Sequence, residues 1–70
     1  MTNLSAGEWY YDTAIDMELV VEEDVNTSGM STAEMDAITV LVTFESGETF
    51  TVPHERFRGR QAYQRVDGGA

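Results

Sequence analysis

Seventy residues without a cysteine exclude a disulfide framework and a thiolate zinc site, and they suffice for one small domain, 1–70. The net charge is −9, from 13 carboxylates against four arginines and no lysine, which argues against direct binding of nucleic acid or of an anionic membrane. A 41% hydrophobic content argues against disorder despite that charge, and neither a membrane span nor a signal peptide is recognisable.

Residues 1–7 and 67–70 read as loose ends. Residues 9–24 fit two periods. On alternation, Trp9, Tyr11, Thr13, Ile15, Met17, Leu19 and Val21 share one face. Glu8, Asp12, Asp16, Glu18, Glu22 and Asp24 share the other, where Tyr10, Ala14 and Val20 are the exceptions. The β-branched and aromatic content favours this strand. The alternative is an N-terminal helix over about 6–23, packed on a hairpin. Ser5 and Glu8 have capping-box spacing for it, with Leu4 and Trp9 as a staple.

The acidic linker Asp24–Asp36 contains a second box spacing, Ser31 to Glu34, which can hold one helical turn. Ile38, Val40, Val42 and Phe44 then alternate with polar positions and Leu41. Glu45-Ser46-Gly47-Glu48 turns the chain, and Thr49–Val52 returns it. A β-hairpin is expected over about 38–52. Pro53 ends the strand and can open a short C-terminal helix, weakened by Gly59. The expected architecture is α+β: a three-stranded antiparallel sheet with a short C-terminal helix over one face and carboxylates on the other. A core this small also makes a homodimer or a tight partner a reasonable expectation.

Catalytic chemistry is poorly supplied, with one histidine, His54, no thiol and no serine in an elbow sequence. The reading is therefore non-enzymatic, with no cofactor. Asp24, Asn26, Ser28 and Gly29 match the opening of a calcium-binding EF-hand loop. The bidentate glutamate due at its twelfth position is Met35, so no metal site is assigned and a calcium module stays an alternative. Arg56, Arg58, Arg60 and Arg65, interleaved with Phe57 and Tyr63, are better matched to internal ion pairs than to phosphates, given the acidity of the rest of the chain.

The charge is segregated along the chain. Residues 1–52 hold eleven carboxylates and no cation, where ordinary surfaces mix signs. Asp12, Asp16, Glu18, Glu22, Glu23 and Asp24, with Glu34 and Asp36 flanking, are the candidate partner contacts. On a strand, alternate carboxylates would recur about every 6.6 Å, a crude imitation of a phosphate backbone. Such a row suits a basic nucleic-acid-binding protein or complex, approached by fast, salt-sensitive association. The competing reading is a salt-adapted structural or regulatory module whose acidity serves solubility.

In size, acidity, lack of cysteine and lack of enzymatic motifs, the chain resembles the small phage-encoded anti-CRISPR proteins and related DNA mimics. The resemblance is of type and covers no motif. It implies an inhibitor that denies a CRISPR–Cas or similar host defence complex its target, in the host cytoplasm. A shorter stretch, Gly47-Glu48-Thr49-Phe50-Thr51-Val52-Pro53 followed by Phe57, is similar to a hairpin-to-helix segment of small bacterial domains of unknown function. Ser46 and Glu48 stand where that pattern has Asp and Arg, and the likeness implies only the hairpin.

Overall fold

The computed structural model describes residues 3–59 and 61–66. The strands are β1 (Trp9–Asp12), β2 (Met17–Val21), β3 (Thr39–Phe44), β4 (Thr49–Pro53) and β5 (Gln64–Val66). They form one antiparallel sheet in the order β4-β3-β2-β1-β5. A helix, α1 (Thr32–Asp36), precedes β3, and a 3₁₀ turn, His54–Phe57, follows β4.

Five strands replace the expected three, for two local reasons. Residues 9–24 are neither one strand nor the alternative helix. The chain reverses between Asp12 and Met17, where Asp16 takes a left-handed φ of 55°, and β1 pairs back on β2. The Ser5/Glu8 spacing makes a turn instead of a helix start. The Glu8 carboxylate accepts from Ser5 N–H at 2.9 Å, and Glu8 N–H donates to the Ser5 carbonyl at 3.1 Å. A helix would also have exposed Leu19, which is completely buried here.

The expected C-terminal helix is likewise replaced. After one 3₁₀ turn, Arg58 is extended and Gly59 takes φ +93°, a left-handed value that stops helical propagation. Tyr63 N–H then donates to the Arg56 carbonyl, and Gln64–Val66 pairs on β1. The only α-helix among the described residues is α1, in mid-chain. Both halves of its capping box are formed: Glu34 N–H donates to the Ser31 hydroxyl at 3.2 Å and Ser31 N–H donates to the Glu34 carboxylate at 2.9 Å.

The hairpin of β3 and β4 turns where the sequence placed it. Gly47 N–H donates to the Phe44 carbonyl, and Gly47 takes φ +93°, the left-handed position of a bulged three-residue loop.

The core lies on one side of the sheet and is built from Tyr10, Leu19, Val21, Val40, Val42 and Phe44, with Leu4, Phe57 and Tyr63 closing over them. Phe57 meets Tyr10 edge-on at 5.0 Å and Tyr63 at 5.1 Å between ring centroids. Leu4, inside the stretch expected to be a loose end, is buried and bridged to Val25. Residues 1, 2 and 67–70 lie outside the described residues.

Candidate protein-binding surface

The sheet sorts charge by face. On the core side, the covering segment brings arginines to carboxylates. Arg56 lies 3.5 Å from Asp12 and stacks over the Tyr63 ring at 4.9 Å. Arg58 pairs with Asp36 and donates from Nε to Nδ1 of the buried His54 at 3.0 Å. Arg65 pairs with Glu8 at 3.2 Å above the Tyr10 ring. Arg60 lies outside the described residues.

The other face follows from the pairing register. Val66, Trp9, Val20, Thr43 and Thr49 are successive cross-strand partners and form a row across all five strands. At about 4.8 Å per strand this row is about 19 Å long. Beside it on one side run Gln64, Tyr11, Glu18 and Glu45. On the other side lie Glu22, Leu41 and Thr51, since Glu22 N–H donates to the Leu41 carbonyl and Leu41 pairs with Thr51. Trp9, Tyr11, Val20, Leu41 and Val66 are half-buried, and none joins the core cluster. The 3₁₀ turn packs on the opposite face through Phe57, and α1 packs against that turn. No lysine or arginine stands in these rows, so this open face is apolar along its middle and anionic at its flanks.

The candidate contact residues divide accordingly. Glu18 and Glu22 belong to the open face, about 13 Å apart along β2 with Val20 between them. Glu23 and Asp24 are exposed just beyond β2, and Asp24 accepts from Ala6 N–H at 2.8 Å. Asp16 lies at the β1–β2 turn and accepts from the Tyr11 hydroxyl, which holds the Tyr11 pKa above its ordinary value. Asp12 is placed apart from the rest. It is buried, accepts from Ala14 N–H at 2.9 Å and faces Arg56, so it braces the fold. Glu34 is taken up by the cap, whose hydrogen bonds with Ser31 lower its pKa, and Asp36 is held by Arg58.

The calcium reading finds no support in this geometry. The chain before Asp24 is strand where an EF-hand has a helix, and the Asn26 side chain accepts from Ser28 N–H. Among the described residues, no group of three His, Cys, Asp or Glu is placed to hold a metal ion. No helix among them is long and apolar enough to cross a membrane.

The apolar row was missed in the sequence. Its signal was there as the exceptions to alternation: Val20 among the acidic even positions, and Leu41 out of phase with Val40 and Val42.

No protein-family model matches the chain, and neither a curated protein nor a solved structure matches it significantly.

Proposed function

We propose that this protein is a non-enzymatic inhibitor that presents an anionic, DNA-mimicking surface to the basic nucleic-acid-binding groove of a partner protein or complex. One observation carries the reading. Each arginine among the described residues is held by a carboxylate on the covered side, whereas Glu18, Glu22 and Glu23 are exposed and pair with none of those arginines. The net field around the molecule therefore belongs to carboxylates aimed at solvent. Such a field steers association with a basic groove and repels nucleic acid itself. Inhibition would follow from occupancy, without chemistry. A CRISPR–Cas or similar host defence complex in the cytoplasm, met by a phage-encoded protein, is the target class that the resemblance implies.

The reading is tested by capture on the immobilised protein from a lysate containing nucleic-acid-binding complexes, with and without excess duplex DNA. The expected result is a captured nucleic-acid-binding protein that duplex DNA displaces, and that the folded double variant Glu22→Lys/Glu23→Lys no longer retains. Capture indifferent to duplex DNA, or unchanged by the double reversal, overturns it.

A further inference from the structure

We infer that the open face of the sheet is the docking surface, and that it takes a cationic amphipathic helix of the partner lying along the Val66–Trp9–Val20 row. The inference rests on the function proposed above and names the surface and the element it recognises. A helix with its side chains is about 10–12 Å across. Glu18 and Glu22 stand about 13 Å apart on opposite sides of the row. A helix laid along the row would put its apolar stripe on Trp9, Val20 and Val66, with Thr43 beyond them. Basic residues on its flanks would then reach Glu18 and Glu45 on one side and Glu22 on the other.

Charge complementarity selects this occupant over a second copy of the chain. An isologous pairing of two such faces would bring Glu18, Glu22 and Glu45 against the same carboxylates, with no cation among the described residues of either face to offset them. A face whose charged groups, among the described residues, are all carboxylates equally disfavours an anionic membrane. The row, about 19 Å long, matches one helix of about 13 residues at 1.5 Å per residue, and is too small for a domain-sized interface.

The chain's single tryptophan, Trp9, lies between Val66 and Val20 on this surface and reports its occupancy directly. The test is a fluorescence titration at about 0.15 M salt with two synthetic peptides of about 14 residues. One carries a leucine stripe at helical spacing flanked by arginines, and the other has the same composition scrambled so that no stripe forms. The striped peptide is expected to shift Trp9 emission to the blue and to bind about tenfold tighter than the scramble. Val20→Thr, which keeps a β-branched side chain on β2, should remove most of that preference while the circular dichroism spectrum stays unchanged. Equal binding of the two peptides, unmoved Trp9 emission, or an unaltered preference in folded Val20→Thr overturns the inference. None of these outcomes touches the proposed function, which fails separately if the wild-type protein captures no partner that duplex DNA displaces.

Discussion

Ser31 and Glu34 show how much of a short helix can depend on one side chain. α1 has five residues and buries none of them fully, so its capping box supplements a shallow contact with the 3₁₀ turn. Ser31→Ala should cost about 1 kcal/mol, read as a lower midpoint in urea. The same bonds set a pH dependence. The Glu34 pKa is lowered in the folded state, so its stabilisation is present above the ordinary glutamate value of 4.5 and is lost as pH falls through the lowered one. In Glu34→Gln that part of the acid limb should disappear from a stability–pH profile, whereas Ser31→Ala, which keeps the backbone N–H that bonds the Glu34 carboxylate, should only reduce it. At alkaline pH the sign reverses. The Tyr10 pKa is raised by burial first and by Glu8 next, and that of Tyr11 by its bond to Asp16, so the unfolded chain loses these protons first. Stability should fall as pH rises past 10.0, and Tyr10→Phe should flatten the fall. Alternation places Asp12 among the surface carboxylates. Its position two residues after Tyr10 on the core side, under Arg56, makes it a structural acid instead. Asp12→Ala frees both Ala14 N–H and Arg56, and an unfolding free energy lower by about 1–3 kcal/mol is expected.

Among the elements, the β3–β4 hairpin was readable because its signals are local: alternation, then a glycine at the residue that must turn left-handed. Gly47→Ala should therefore cost about 1 kcal/mol although a methyl group there meets nothing within 4 Å, because the cost is backbone strain. The N-terminal half was harder. Both of its candidate periods were written across a turn that neither took into account. Once the chain reverses at Thr13–Asp16, the register pairs Asp12 with Met17 and Tyr10 with Leu19. The inward positions therefore change from even in β1 to odd in β2. The C-terminal segment followed no period of its own. Its order comes from Phe57, which meets both Tyr10 and Tyr63 edge-on. Phe57→Ala should cost about 3–5 kcal/mol, read from a denaturation curve, and should release the 3₁₀ turn together with β5.

For the whole molecule, charge and shape were set by different parts of the chain. The radius of gyration is 11.5 Å, so at low ionic strength, where the screening length is about 30 Å, each carboxylate feels all the others. Raising salt from about 0.01 M to about 1 M shortens that length to about 3 Å and should raise the melting temperature by about 5 °C. Melting in calorimetry that falls with salt would show that the arginine pairs outweigh the repulsion. A chain that stays unfolded in dilute buffer would favour the salt-adapted module. Composition and order along the chain determined the acidity, the segregation of arginine to one end, the hairpin and the capped turn, because each depends only on near neighbours. Tertiary structure alone decided that Arg56, Arg58 and Arg65 lie on one side and neutralise Asp12, Asp36 and Glu8. It alone aligned Trp9, Val20 and Val66 into one row between Glu18 and Glu22. Strand register joins residues far apart in sequence, and one turn residue changes which side of the sheet they occupy.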